Sequence, residues 1–137
     1  MKQSRREARE AAFCLLFEWS FRQEESMESL IEGAQGREPA AGGFASELCT
    51  KAVQSVQELD RLITDYSDKW KINRISKVSL AALRLAFCEI TGFDDIPPGA
   101  SVNEAVELVK SFGTEDDAAY VNGILGAYLR SGDAPKA

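Results

Sequence analysis

Residues 75–90 read ISKVSLAALRLAFCEI, a segment that is apolar on almost every side. At about 100° per residue, its leucine, alanine and phenylalanine side chains point in several directions around a helix. Arg84 is the only charged residue between Lys77 and Glu89. Helices that are apolar all round lie inside a protein, so this segment predicts the central and most buried helix of the chain.

Helical periodicity also dominates the segments before this helix, and alternating strand patterns are nearly absent. Apolar residues recur at i, i+3 and i+4 over residues 3–23 and again over residues 44–66, which predicts two long amphipathic helices. A short helix is expected around residues 27–31. Glycine and proline concentrate in residues 33–43, which predicts a loop. The predicted fold class is therefore all-α.

The last third of the chain carries start and stop signals for two more helices. Ser101 and Glu104 have the spacing of a capping box, in which each side chain bonds the other residue's amide. Gly113 is expected to end that helix, and Thr114 with Asp117 repeats the capping pattern for the final one. This alternation of helices and turns permits two three-helix bundles packed together.

The composition of the chain argues against an enzyme. Its 137 residues are 45% apolar and 28% charged, which predicts one compact domain and excludes wholesale disorder. No histidine is present, so the usual general base at neutral pH and the commonest metal ligand are missing. Nucleotide-binding and hydrolase motifs are also missing from the sequence. We expect no catalytic residue, no cofactor and no metal.

Cysteine usage and hydropathy indicate the compartment. Cys14, Cys49 and Cys88 are odd in number, far apart and each within an apolar stretch, which suits buried thiols better than disulfides. Thiols of this kind are typical of a reducing cytoplasm. No apolar run approaches the length that crosses a bilayer. We therefore expect a cytoplasmic protein with no membrane partner.

The N-terminus is basic in a chain whose net charge is −6. The first nine residues hold four cations, Lys2, Arg5, Arg6 and Arg9, against the single anion Glu7, and at helical spacing the four cations fall on one stripe. Cations at a helix N-terminus oppose the helix dipole and repel one another, so an anionic partner is expected to offset the cost. RNA fits such a stripe because counterion release depends on the local patch. The alternative is a solvated helix end.

Aromatic residues continue this side of the helix. Phe13 and Phe17 follow the basic stripe at helical spacing, and an exposed ring there could stack on a base. The alternative interpretation places both rings in the core.

The segment 110–117 joins two capped helices and offers further groups that suit RNA. Ser111, Phe112 and Gly113 form a tight turn, and Asp116 could accept hydrogen bonds from a base amino group. Acidic clusters of this kind usually only cap helices.

Arg84 is the remaining candidate RNA-binding residue, because a guanidinium inside an apolar helix needs a partner or a route to solvent. It could instead reach the surface along its stem or pair with an acidic side chain. Asn103 and Asn122 are interpreted as structural amides that bond neighbouring backbone.

Several motifs occur in one order along the chain and together resemble the NusB family of bacterial transcription antitermination factors. They are RREAREA at residues 5–11 with Trp19, LRLA at 83–86 with Glu89, Pro98, VNEAVEL at 102–108, KSFG at 110–113 and YVNGIL at 120–125. The resemblance covers essentially the full length. It implies an all-helical fold of two packed three-helix bundles, with subdomains of roughly residues 1–66 and 67–137.

The resemblance also implies binding residues. The family's arginine-rich motif, its first-helix aromatic and its loop contacts fall on Lys2, Arg5, Arg6, Arg9, Phe17, Ser111, Phe112, Gly113 and Asp116. Phe17 replaces the tyrosine often found at that position. The surface for NusE, a protein of the small ribosomal subunit, is placed on exposed positions of the helix over residues 75–90 and the segment before it. Ser79 stands there where some members carry an acid.

The implied function is to bind the boxA element of nascent ribosomal RNA together with NusE, in a complex that helps RNA polymerase read through terminators. Two alternatives keep the same fold. In the first, the chain is a stand-alone module that assists an RNA methyltransferase. In the second, it is a helical adaptor whose basic stripe meets an acidic protein.

Overall fold

The computed structural model describes residues 4–67 and 72–135, and within these ranges the chain is helical, without strands. The helices are α1 (Arg5–Trp19), α2 (Met27–Gly33), α3 (Gly43–Gln54), α4 (Val56–Tyr66), a 3₁₀ turn (Ile72–Arg74), α5 (Lys77–Gly92), α6 (Pro98–Phe112) and α7 (Glu115–Ser131). The all-α prediction is confirmed. The loop expected over residues 33–43 is confirmed as well, because α2 ends and α3 begins there.

Helix α5 is the centre of the structure, as its composition predicts. Every residue from 79 to 90 is buried. The helix packs against α1, α3, α4, α6 and α7. Ser76 begins it by accepting a hydrogen bond from the Ser79 amide. Because almost every side of α5 contacts another helix, it connects the elements before it with those after it.

The prediction of one helix over residues 44–66 is wrong. The chain breaks at Ser55, where ψ is 12°, and α3 and α4 lie on either side of this residue. The Ser55 amide still donates to the Lys51 carbonyl, and its own carbonyl accepts from the Leu59 amide. Both helices pack on α5. The apolar stripe is therefore continuous in the sequence although the helix is interrupted at Ser55.

The capping box expected at Ser101 is also wrong. Helix α6 begins three residues earlier at Pro98, whose fixed φ and missing amide proton suit a first turn. Ser101 is buried and donates to Glu89 Oε1 at 2.9 Å. Glu104 accepts instead from Arg6 of α1. Both side chains therefore join helices to one another.

The buried polar centre of the protein is the pair Arg9–Glu89. Arg9 Nε lies 2.8 Å from Glu89 Oε2, and Arg9 Nη2 lies 2.9 Å from Glu89 Oε1. Their side chains are only 9% and 2% exposed. Ser101 completes the cluster, which links α1, α5 and α6. A buried pair with satisfied hydrogen bonds fixes geometry, and loss of either partner leaves an uncompensated charge.

Two findings bear on the compartment. Cys49 and Cys88 are buried, and Cys14 is half-buried. Burial raises the pKa of the Cys88 thiol to about 12, so this group is an inert thiol at neutral pH. Among the described residues, no helix is both long enough and apolar enough to cross a membrane.

We predict that Arg9→Ala lowers the free energy of unfolding by about 3–5 kcal/mol, because Glu89 then stays buried without a counter-charge. Urea denaturation followed by circular dichroism measures this value. The matched control is Arg61→Ala, which removes an exposed arginine paired with Glu58 within α4 and should leave the midpoint nearly unchanged. Equal effects of the two variants would contradict the structural role of Arg9.

Candidate nucleic-acid interface

Arg5 and Arg6 are the exposed cations at the start of α1. A capping box between Ser4 and Glu7 fixes this end of the helix. The Arg5 guanidinium lies 3.8 Å from the centre of the Phe44 ring, a cation–π contact that holds its stem and leaves the charge at the surface. Both cations are therefore placed to meet an anion from solvent.

Arg6 carries a partner that an incoming anion must displace. Its Nε and Nη2 donate to the two carboxylate oxygens of Glu104 on α6, at 3.2 and 3.1 Å. The hydrogen bond and charge of Glu104 raise the pKa of Arg6. The Arg6 side chain is 73% exposed. Water screens such pairs, so Arg6 can exchange Glu104 for another anion.

The prediction that Arg9 belongs to an exposed basic ridge is wrong, because Arg9 is buried in its pair with Glu89. Arg84 is corrected in the same way. Its Nε and Nη2 bind Asp60 at 2.8 and 2.9 Å, and its side chain is 5% exposed. Both guanidinium groups serve the fold, as the ion-pair alternative for Arg84 proposed. Lys2 lies outside the described residues.

Four phenylalanines form a continuous row of rings, which we call the phenylalanine row. The rings of Phe112, Phe13, Phe17 and Phe21 follow one another with centres 5.2, 6.4 and 5.1 Å apart. Phe13 is core, as the alternative interpretation proposed, and Phe17 is half-buried. Phe112 and Phe21 are 45% and 60% exposed. The sequence pointed to Phe17 and Phe112 but missed Phe21, although Phe13, Phe17 and Phe21 are spaced four apart.

Arg6, Phe13 and Phe112 lie along one seam between α1 and α6, and Arg5 lies beside it against Phe44 of α3. Arg6 contacts Glu104 at one end, and Phe13 contacts Phe112 at the other. Seven residues of α1 and eight of α6 separate these contacts, a rise of about 10–12 Å along each helix. The seam thus has an exposed arginine paired with a carboxylate at one end and aromatic rings at the other. No pattern within one helix could reveal this pairing.

The turn from α6 to α7 directly follows Phe112, which lies at the aromatic end of the seam. Ser111 and Phe112 are exposed, and Thr114 and Asp117 form the predicted capping box, which is confirmed. Asp116 is exposed in the first turn of α7. Asp117 supplies the carboxylate of the capping box, and Asp116 lies in the first turn, where a carboxylate interacts favourably with the helix dipole.

Gly113 is the tightest point of this turn. A Cβ atom there would lie 2.8 Å from Asp117 Oδ2, 2.9 Å from Val78 Cγ1 and 3.2 Å from the Val109 carbonyl oxygen. Any side chain at this position would push the turn away from α5. The requirement for glycine is therefore one of space.

A groove of about 700 Å³ lies beside the turn, between α6 and α7. Val106 and Lys110 contribute to one wall and Ala118 and Asn122 to the other. Asn122 is exposed there, and Asn103 is exposed on α6, so neither amide is buried.

Comparison with known proteins identifies the family. The fold is all-helical over the described residues, and the seam carries exposed arginine and phenylalanine side chains. The family description "NusB family" matches residues 6–130. The chain is 42% identical to the transcription antitermination protein NusB of Natranaerobius thermophilus over 127 residues, 89% of this chain and 91% of that protein. The NusB of Geobacter sulfurreducens is 36% identical over 125 residues, with the same two coverages.

Solved structures agree with the sequence comparison. A T. maritima NusB structure superposes with a TM-score of 0.82 at 35% identity, covering 95% of this chain and 93% of that one. A crystal structure of the antitermination factors NusB and NusE in complex with double-stranded RNA gives 0.83 at 28% identity, covering 96% and 99%. The chain belongs to the NusB family of transcription antitermination proteins.

We predict that Gly113→Ala lowers the free energy of unfolding by about 1–3 kcal/mol, the usual cost of forcing extra volume into packed structure. The matched control is Gly123→Ala within α7, where a Cβ atom meets nothing within 4 Å. That variant should stabilise the helix by about 0.5–1 kcal/mol. Urea denaturation measures both, and a neutral or stabilising Gly113→Ala would contradict the tight packing of the turn.

Proposed function

We propose that this protein binds the boxA element of nascent ribosomal RNA together with NusE, and that the resulting complex helps RNA polymerase read through terminators. The observation that carries the proposal is the α1–α6 seam, with exposed arginines at one end and exposed phenylalanine at the other. A chain with net charge −6 that still concentrates cations in one place is suited to a local polyanion contact. The proposed complex acts in the cytoplasm, and the proposal includes no membrane partner and no cofactor.

The arginines supply the phosphate contacts. Arg5 and Arg6 have planar guanidinium groups, which bind phosphate oxygens in pairs as they bind carboxylates. Glu104 already shows this geometry on Arg6. A phosphate that takes the place of Glu104 releases condensed counterions from the RNA, which gives the exchange a favourable entropy.

The phenylalanine row supplies the base contacts. Phe112 and Phe17 expose ring surface on which unpaired bases can stack, and such stacking tolerates any base. Choice among bases must therefore come from polar groups near the rings. Ser111 directly precedes Phe112 and offers an exposed hydroxyl for this purpose.

The proposed NusE surface is smaller than the resemblance implied. Residues 79–90 of α5 are buried, so Ser79 cannot face a partner. Ser76 and Lys77 at the start of α5 remain exposed, as do Asn73 and Arg74 before it. Phe21 adds apolar surface next to them, with Lys77 Nζ 5.7 Å from its ring centre. An exposed aromatic beside a cation is typical of a protein contact.

Fluorescence anisotropy with boxA RNA and a scrambled RNA, each with and without NusE, tests the proposal. We expect tighter binding to boxA than to the scrambled sequence, and a further gain with NusE. Equal binding to both RNAs would favour the methyltransferase-assisting alternative. Absence of RNA binding at low salt would contradict the proposal and favour the adaptor for an acidic protein.

We predict that Arg5→Ala and Arg6→Ala each weaken RNA binding and each reduce the slope of log K against log salt by about 1, the loss of one phosphate contact. Titrations at several salt concentrations measure the slope. Arg61→Ala on α4 removes another exposed arginine, one outside the seam, and should leave the slope unchanged. If the slope in all three variants equalled that of the parent, Arg5 and Arg6 would not contact the RNA phosphates.

Asp116→Asn gives a prediction whose sign is informative. If the carboxylate repels phosphate, the variant binds RNA more tightly, and most visibly at low salt where screening is weak. If the carboxylate accepts from a base amino group, affinity falls for boxA alone. We expect the first result, because Asp116 stands in an acidic first turn with Glu115 and Asp117. No change with either RNA at any salt would place Asp116 outside the interface.

A further inference from the structure

One carboxylate joins the N-termini of two helices. Asp117 Oδ2 accepts from the Thr114 amide at 3.0 Å, which closes the capping box of α7. Its other oxygen, Oδ1, accepts from the hydroxyls of Ser76 at 2.8 Å and Ser79 at 3.1 Å, which belong to the start of α5. Asp117 therefore holds the beginning of α7 against the beginning of the central helix.

The charged form of this carboxylate is the one the structure favours. Partial burial raises the pKa of Asp117, but the hydrogen bonds from Thr114, Ser76 and Ser79 together outweigh burial and hold the pKa below its ordinary value. The carboxylate is thus fully ionised at neutral pH. An ionised acceptor bonded to three donors is a firm link between elements.

The link lies beside the turn that follows Phe112. Gly113 is confined between Asp117 and Val78, each within 3 Å of where its Cβ would lie. Phe112 precedes Gly113 directly, and its ring packs on Phe13 of α1 while remaining 45% exposed. Asp117 therefore packs against the residue that directly follows Phe112.

We propose that Asp117 is a positioning residue for RNA binding, which sets the Phe112 ring on the seam by tying α7 to Ser76 and Ser79 of α5. This inference rests on the proposed function and adds a residue that touches no RNA. The proposal predicts the opposite effect on affinity from the one that charge alone predicts. Removal of a negative charge near a polyanion should tighten binding, whereas loss of a positioning residue should weaken it.

The first experiment compares Asp117→Asn with Asp116→Asn, which remove the same charge at adjacent positions. We expect Asp117→Asn to weaken binding to boxA and to scrambled RNA alike by roughly tenfold, a typical size for coupled neighbouring contacts. Its salt slope should equal that of the parent, because no phosphate contact is lost. Tighter binding by Asp117→Asn would overturn the proposal in favour of simple repulsion.

The second experiment asks whether the effect passes through Phe112. In a double-mutant cycle, Asp117→Asn should cost little in a Phe112→Ala background, because there is then no ring to position. Fully additive losses would overturn the proposal. Ser79→Ala keeps the charge and the capping box but removes one donor from α5, so we expect a smaller loss in the same direction.

Two controls separate positioning from a general loss of stability. Ser26→Ala removes the cap of α2, a comparable defect far from the turn, and should leave RNA affinity unchanged. The second control is 4-fluorophenylalanine at position 112, observed by ¹⁹F NMR without RNA. We expect one sharp resonance in the parent and a shifted or broadened one in Asp117→Asn. An unchanged resonance would overturn the proposal, even if the parent protein bound no RNA and the proposed function itself failed.

Discussion

The bidentate pair between Arg9 and Glu89 determines how the rest of the structure is arranged. A charge in the interior is tolerated only at the place where its counter-charge lies, so the pair allows one register of α1 against α5. Ser101 extends this constraint to α6. This cluster therefore sets how α1 and α6 are aligned along the seam. Only in that register do the Arg6–Glu104 and Phe13–Phe112 contacts both form.

Features that depend on local composition could be predicted from the sequence. Helix α5 is apolar on all sides, and this property alone places it in the centre. The capping box of Thr114 and Asp117 is a local hydrogen-bond pattern, and it forms as expected. The break at Ser55 was missed because both flanking helices bury the same stripe against α5, so that periodicity shows no interruption.

The candidate site was harder to predict because its residues meet across helices. Positions 5, 6 and 9 share a stripe at the border of the core, and the sequence does not show on which side of that border each one lies. Arg9 is buried in the core, where it pairs with Glu89, a residue eighty positions later in the sequence. Arg84 is likewise held by an ion pair with Asp60, a residue of another helix. Charge alone does not distinguish a guanidinium that binds a ligand from one that holds the fold.

Because Arg6 is already paired with Glu104, an anion that binds Arg6 must compete with this carboxylate. A free phosphate or chloride ion offers little that the carboxylate does not already supply, and the carboxylate has the advantage of being attached to the same molecule. A polymer that also reaches Arg5 and the aromatic rings gains several contacts for the one it displaces. Small anions would therefore leave the Arg6–Glu104 pair intact, whereas under the proposed function a nucleic acid strand would displace Glu104.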